Sequence, residues 1–382
     1  MIKSILFFTH YSALYGANRS LIKILEICLK EDKELFVIMP KPGGLSRELQ
    51  KMGVTWEIHK FKGWIGKESK ISFSCIDNFR GNRNTNFNLK QIPKIKRKLG
   101  DFQPDLVCSN TSIFNIGFLY AQKYNKPHIW FVRSHPDHYS FKWFQKEYTQ
   151  NSLKESEVVI AISHFLKEFL VKEFSLWNVK QLYNAILSER ELENLDKRKR
   201  NHSLLDEKVF TFGIVGLIHP EKGQEIAVRA FANFHKLYPK SKLLIIGAGK
   251  QSGLKKIIRE LNLLNNVVFT GHLNDPFEGF LRLDVSLVCS TNEGLGRVAL
   301  ESMALRIPVI GRDDGATSEL INHGENGLLY SGGHEELFEK MVYLYKNEDK
   351  RIAMGELGRK FLETNFTNEV FSRKFLKVIN KL

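Results

Sequence analysis

The chain has 382 residues, 43% of them hydrophobic and 26% charged; these are globular proportions, and the length is too great for one core, so two domains of ordinary size are expected. No apolar run reaches the roughly 18 residues of a membrane span, and residues 2–8 read as a short strand with a single Lys3 rather than a secretion signal, which points to the cytoplasm. A formal net charge of +15 favours a polyanionic partner or surface, whereas four scattered cysteines (Cys28, Cys75, Cys108, Cys289) without CxxC spacing favour buried free thiols over disulfides or a metal centre.

In chain order the first half alternates strand and helix signals. Residues 5–8 predict a strand, 17–29 an amphipathic helix, 34–39 a strand, 46–52 a short helix and 54–59 a strand. A basic helix carrying Lys90, Lys94, Lys96, Arg97 and Lys98 ends near Gly100. Its basic flank, with the mixed aromatic and basic runs 61–67 and 141–146, suits the headgroup boundary of an anionic membrane, although a charge run is also what any solvated helix face shows. Strands at 106–108, 129–132 and 158–162 follow, with helices at 115–124 and from Phe165. Such alternation describes an open parallel sheet with helices on both faces, in which ligands meet the loops after the strands.

The polar span 187–208 reads as a connection containing a helix, and the domain boundary is placed close to Ile186. A second alternation then begins: strand 211–215, a loop with Pro220 and Gly223, helix 224–237, strand 242–246 ending in Gly247-Ala248-Gly249, a helix to Leu261, and strand 267–269. The apolar run 285–289 leads into Ser-Thr-Asn-Glu-Gly-Leu-Gly-Arg-Val-Ala-Leu-Glu, residues 290–301, and then another strand at 307–310. A helix starting near Gly296 turns unpaired N–H groups toward the glycine loop, where a phosphate can sit. Glu293 in the loop can accept hydrogen bonds from sugar hydroxyls, and Glu301 within the helix can hold a vicinal diol. The plainer reading makes Glu293 a charge favourable to the helix dipole and Glu301 a solvated helix residue. Residues 371–379 form a last amphipathic helix.

The second half resembles the donor domain of a family 4 glycosyltransferase. The likeness runs through Gly216 and Glu221-Lys222-Gly223, Leu244 to Gly249, Val268 to Gly271, Glu293-Gly294 to Glu301, Pro308-Val309-Ile310 and Glu319 to Gly327. The first half matches more loosely, through Tyr15 to Leu21, Pro104 to Val107, Ser109-Asn110-Thr111 and Tyr183-Asn184-Ala185. The resemblance implies an α/β fold of the GT-B type, two Rossmann-like domains facing each other across a cleft. An acceptor-binding domain would span 1–186 and a donor-binding domain 187–365, with a segment 366–382 able to cross back to the first.

It also implies a metal-independent, retaining transfer of a sugar from a UDP- or GDP-linked donor to a glycan or lipid-linked hydroxyl. The work would serve cell-surface polysaccharide synthesis, by a peripheral protein on the inner face of the plasma membrane, with no nucleic acid as partner and no cofactor beyond the co-substrate. No Asp-x-Asp metal motif appears where it could serve, so Lys222 is the candidate cation for the leaving diphosphate. Glu293 would hold the transferred sugar, Glu301 the ribose, and main-chain groups of Gly294, Leu295, Gly296, Arg297 and Val298 the phosphates and ring substituents. Gly216, Gly247 and Gly249 would let the backbone pass close to the nucleotide. Arg133 or His135 would act on the acceptor side, with His10, Gly16, Arg19 and Asn110 beside them; His10 and Arg19 have equally a structural reading, as caps of the first strand. His135 and His138 share that alternative as loop-structuring groups.

Three positions depart from the family pattern. Leu217 stands where many members carry an arginine, Arg133 takes the place of a frequent histidine, and Asn18 that of a frequent glutamate. Competing functions are a nucleotide-sugar epimerase or hydrolase on the same scaffold and a non-catalytic basic protein binding membrane or nucleic acid. A nicotinamide dehydrogenase fits least, because Ser252 stands where the third glycine of its fingerprint is required.

Overall fold

The computed structural model describes residues 2–67, 74–136, 141–202, 209–273 and 275–382. Asp137 and His138 lie outside the described residues, as do the side chains of Lys67, Cys75 and Phe141. Two units divide the chain: Met1–Ala185 with Asn368–Leu382, and Ile186–Thr367.

In the first unit the strands are β1 (Ser4–Phe8), β2 (Glu34–Met39), β3 (Thr55–Ile58), β4 (Ile65–Lys67), β5 (Leu106–Ser109), β6 (His128–Val132), β7 (Phe141–Trp143), β8 (Val158–Ala161) and β9 (Val179–Gln181). Its helices are α1 (Gly16–Lys30), α2 (Gly44–Lys51), α3 (Ser74–Lys98), α4 (Ile116–Lys123), α5 (Lys146–Lys154) and α6 (His164–Phe174). Among the described residues the main sheet has seven strands in the order β3-β2-β1-β5-β6-β8-β9, every pair parallel, while β4 and β7 form a separate antiparallel ribbon. Continuous apolar runs such as Ile5-Leu6-Phe7-Phe8 are what a sheet covered on both faces requires, and all four are fully buried. The helix α1 turns Leu21, Ile24, Leu25 and Cys28 inward at the spacing of one helical face.

The second unit begins with α7 (Glu189–His202) and continues with β10 (Phe210–Val215), α8 (Gln224–Leu237), β11 (Ser241–Ile246), α9 (Ser252–Glu260), β12 (Val267–Gly271), α10 (Phe277–Phe280) and β13 (Val285–Val288). Then come α11 (Arg297–Ala304), β14 (Val309–Arg312), α12 (Thr317–Leu320), β15 (Leu328–Tyr330), α13 (His334–Lys346) and α14 (Glu348–Asn365); α15 (Asn368–Ile379) belongs to the first unit. The sheet runs β12-β11-β10-β13-β14-β15, again all parallel. Arg306, just after α11, and Arg359 of α14 converge on Asp196 of α7, and this fastens the start of the unit to both. Phe371, Phe375 and Ile379 of α15 lie in the core that α1 and β6 share, so the closing helix packs on the first unit.

Both sheets reverse their strand order beside their first strand, between β1 and β5 and between β10 and β13. Open parallel sheets take ligands at the carboxyl ends of such a reversal, because the loops on either side diverge there. Each unit secures the opposite, amino end with an aspartate. Asp105, before β5, accepts the Lys3 and Ser4 N–H groups at 2.8 and 3.1 Å, and Asp284, before β13, accepts the Thr211 N–H at 2.8 Å.

The observed elements sit within one or two residues of most expected ones, and several were not expected at all. The strands β9 and β15 have three residues each, too few for a periodic signal. Cys28, Cys108 and Cys289 are buried free thiols, as their scatter without CxxC spacing implied. Burial raises the Cys28 and Cys289 thiols to about 12, so neither is a ready nucleophile. The basic flank of α3 is less open than its sequence implied: Lys98 pairs with Glu57 at 2.6 Å and Lys96 donates to Gln103 at 2.6 Å. None of the helices among the described residues is long and apolar enough to cross a membrane.

Candidate functional site

At the strand reversal of the second unit, the loop after β10 and the loop after β13 lie side by side, although three strands separate them in the chain. Lys222 ends the turn Pro220–Lys222, and Glu293 lies in the loop ahead of α11; their side chains form an ion pair, Nζ to Oε1. Only 13% of the lysine and 15% of the glutamate side chain is exposed, so solvent and salt screen the pair far less than a surface bridge. One turn into α11, Arg297 Nη2 reaches Glu301 Oε1 at 3.2 Å, with the glutamate side chain 7% exposed. Glu301 is therefore a buried carboxylate held by its own helix, which excludes the plainer reading of a solvated residue.

The loops are built to hold these groups still. The Gln224 side chain, first in α8, donates to the Leu217 carbonyl at 2.9 Å and accepts the His219 N–H at 3.4 Å, which fixes the turn carrying Lys222. The Thr291 N–H donates to the Glu221 carbonyl at 3.1 Å, joining the two loops directly. On the far side, Asp314 accepts the Asn292 N–H at 2.8 Å and the Ala316 N–H donates to the Glu293 carbonyl at 2.9 Å. Gln224 carried no sequence signal, since a glutamine opening a helix is unremarkable. Asp314 thus braces the backbone at Asn292, next to Glu293.

Glycines account for the closeness of the two loops. A Cβ on Gly223, whose φ is 68°, would stand 2.4 Å from the Cys289 carbonyl oxygen. A Cβ on Gly247, at φ 147°, would stand 2.0 Å from the Gly216 carbonyl oxygen, and one on Gly249 would meet Ile218. Gly247 and Gly249 thus have a structural reason to be glycine, the approach of one strand end to its neighbour, before any ligand is considered. Gly216 has room toward the Lys222 side chain, 3.7 Å away, so it lies against the candidate cation.

Gly296 caps α11 with φ 76°, and the N–H groups at Gly296, Arg297 and Val298 precede any intrahelical acceptor. Gly294, Leu295 and Gly296 are buried, and the Leu295 side chain, 4% exposed, packs inward, so this stretch can offer a ligand main chain rather than side chain. Leu217 projects 48% exposed, so no cation stands at that position.

The first unit assembles a different set. Arg133, after β6, is 8% exposed and spends its guanidinium on Asn110, at 2.7 Å to the carbonyl and 2.8 Å to the side chain, and on Asn184 at 2.6 Å. Asn18, fully buried, accepts the Thr9 hydroxyl proton at 2.7 Å and donates to the Tyr11 and Ala13 carbonyls at 2.9 Å. This carboxamide donates and accepts at once, which the glutamate common at that position could not do when ionised. Gly16 is the exposed first residue of α1, and Arg19 Nε donates to the Leu14 carbonyl at 3.1 Å. His135 packs against Phe165 and Phe169, ring centroids 5.1 and 4.3 Å away. Arg133 and Asn110 meet each other; Gly16, Arg19 and His135 are held by other partners.

His10 bridges the strand reversal, its Nδ1 3.1 Å from the Thr111 hydroxyl, and burial pushes its pKa down to about 3. His128 on β6 is likewise held near 3, in hydrogen bonds to Ser109 and Ser156. Ser156 donates its own proton to the Ser152 carbonyl, so it must accept from His128 Nδ1, and the ring stays neutral. In the unfolded chain both imidazoles protonate near 6.5, so from about 6.5 down to about 3 the unfolded state binds more protons. Stability of the first unit is therefore expected to be full above about pH 6.5 and to fall steadily as pH drops toward 3. Urea unfolding at pH 7 and pH 5 checks this; an equal or higher midpoint at pH 5 would contradict it.

The family model described as glycosyl transferases group 1 matches residues 196–361, and that described as Glycosyltransferase Family 4 matches residues 16–190. The capsular polysaccharide biosynthesis glycosyltransferase CapM of Staphylococcus aureus is 28% identical over 201 residues, 52% of this chain and 53% of CapM. The N-acetyl-alpha-D-glucosaminyl L-malate synthase of Bacillus anthracis is 28% identical over 224 residues, 57% of this chain and 58% of the synthase. The chain thus spans little more than half the length of these curated relatives. Among solved structures, Anabaena Alr3699/HepE in complex with UDP and glucose superposes with a TM-score of 0.77 over 100% of both chains at 21% identity, a likeness of fold.

Proposed function

Because the chain belongs to the family 4 glycosyltransferases of the GT-B fold, we propose that its second unit binds a nucleotide diphosphate sugar and that the protein transfers the sugar to a hydroxyl of a glycan or lipid-linked acceptor. The observation that carries the proposal is the Lys222–Glu293 pair at the strand reversal, with Arg297–Glu301 one turn beyond. In this reading the bound donor divides the first pair. Lys222 turns to the diphosphate, where it and the α11 N–H groups offset the charge that grows on the leaving group, so no metal ion is called for. Glu293 is released to accept hydrogen bonds from hydroxyls of the transferred sugar, and Glu301, oriented by Arg297, takes the ribose diol.

The first unit serves the acceptor, with Arg133 fixing Asn110 and neutral His10 at the loop edge. Retention of anomeric configuration rests on the family resemblance; in a same-face displacement the leaving phosphate takes the acceptor proton and no separate carboxylate base is needed. A UDP-linked donor is favoured by the HepE complex, and a role in surface polysaccharide synthesis by the likeness to CapM. Work at an anionic membrane face rests on the net charge and on exposed Lys94 and Arg97.

A thermal-unfolding screen against nucleotide sugars tests the proposal. The true donor at a hundredfold excess over its Kd stabilises the folded state by about 2.7 kcal/mol, and transfer from that donor then reveals the anomer formed. No shift with any UDP- or GDP-sugar would defeat the proposal.

A further inference from the structure

Along the middle of α3 runs an open groove of ≈ 410 Å³, bordered on its other side by Lys62 from the loop after β3. Phe79, Arg83, Asn86 and Lys90 follow one another at three- and four-residue steps, so a single helical face supplies most of its wall. Phe79 is 68% exposed, and the Lys62 ammonium stands 4.7 Å over the Phe87 ring. Among the described residues Lys62, Arg83 and Lys90 have no carboxylate partner. The one acidic residue of α3, Asp77, is already bridged by Lys142 at 2.6 Å.

The floor of the groove is fixed. Buried Asn88 holds the Lys62 backbone on both sides, accepting its N–H and donating to its carbonyl at 2.8 Å each, and it also donates to the Asn115 side chain at 2.7 Å. Asn84 donates to the Gly63 carbonyl at 2.8 Å. Asn115 ends the loop after β5 that bears Asn110 and Thr111, so the groove adjoins the same carboxyl edge of the sheet as the acceptor-side residues.

We propose that this groove binds an acidic saccharide chain, as the continuation of the acceptor beyond the reacting sugar; the inference rests on reading the first unit as the acceptor domain. Its components match that ligand one for one. The exposed ring of Phe79 offers a flat apolar face to a pyranose ring. The Asn86 carboxamide can both donate to and accept from hydroxyls, and Asn82, whose Oδ1 accepts from Gln145 at 2.8 Å, adds its NH2 as a donor. The three cations meet carboxylates or phosphates carried along the chain. A membrane surface fits less well, since a lipid interface engages a convex apolar face, and here cations and rings are interleaved along a concave one.

Calorimetric titration of the full chain with an oligogalacturonate, and with a malto-oligosaccharide of equal length as neutral control, tests the proposal. The acidic chain is expected to bind saturably and more weakly as salt is added. Binding is expected to fall about tenfold in Phe79→Ala and at least as far in Arg83→Ala/Lys90→Ala. All three side chains are exposed, so folding is kept. The thermal shift given by the nucleotide-sugar donor is expected to be unchanged in these variants, so a failed groove and a failed donor site are told apart. Equal affinity in variants and wild type, or equal binding of the neutral chain, would overturn the proposal. So would loss of pelleting with phosphatidylglycerol vesicles in these variants while oligogalacturonate binding stayed intact.

Discussion

Lys222→Ala and Glu293→Ala are each expected to lower kcat for sugar transfer by about 10²–10³-fold, the scale of losing one charge-stabilising group from a preorganised site. The two losses have different causes. On the proposed reading, the diphosphate would leave without its main cation in the first variant, whereas in the second the sugar would lose the carboxylate that orients its hydroxyls. Circular dichroism is expected to show both variants folded, since the pair lies in loops that Gln224 and Asp314 hold independently.

Stability separates a structural pair from a functional one. Each single substitution removes the ion-pair partner of a mostly buried charge and costs about 1–3 kcal/mol. The double variant removes both charges and is expected to be less destabilised than the sum of the singles, while its transfer stays as low as the worse single. If the pair only braced the loops, activity would recover along with stability in the double variant. Near-normal turnover by both singles would remove the site assignment altogether.

Gly247→Ala is expected to destabilise the second unit by about 3 kcal/mol, which for a domain of its size lowers Tm by about 6–12 °C. The new methyl has nowhere to go, because it would sit 2.0 Å from the Gly216 carbonyl oxygen, a backbone atom, at a φ that L-residues avoid. The strand ends would have to part. The ladder there depends on Gly216 N–H to Ile246 and Gly247 N–H to Gly271, both 2.9 Å. Gly253→Ala in α9 is the control: no atom lies within 4 Å of its Cβ position, and alanine in a helix is expected to stabilise by about 0.5–1 kcal/mol. Equal Tm values for the two variants would show that the close approach of β10 and β11 is not what glycine at 247 is for.

Much of the fold could be read from apolar spacing. Helix α8 begins at Gln224 and ends at Leu237 as its pattern predicts, and the parallel sheets follow from strand–helix alternation. Strand order is less accessible, because nothing local to Thr211 to Val215 says that β13 rather than β12 lies beside it. For that reason Lys222 and Glu293, 71 residues apart, were legible as two candidates but not as one pair. Arg133 posed the opposite problem. Its chemistry was visible, but its engagement with Asn110 and Asn184 depends on three loops meeting, so a side chain open to an acceptor and one committed to bracing look alike in sequence. Gly247 reads in sequence as a place for ligand to approach, whereas its first neighbour is another strand's backbone.

Calorimetric binding of nucleotide sugars to the wild type and to Lys222→Ala tests the central claim most directly. The wild type is expected to bind one UDP- or GDP-sugar at a single site, and the variant to bind it at least about tenfold more weakly. Equal affinity in the two proteins, or no binding of any nucleotide sugar to the wild type, would contradict the donor site described here.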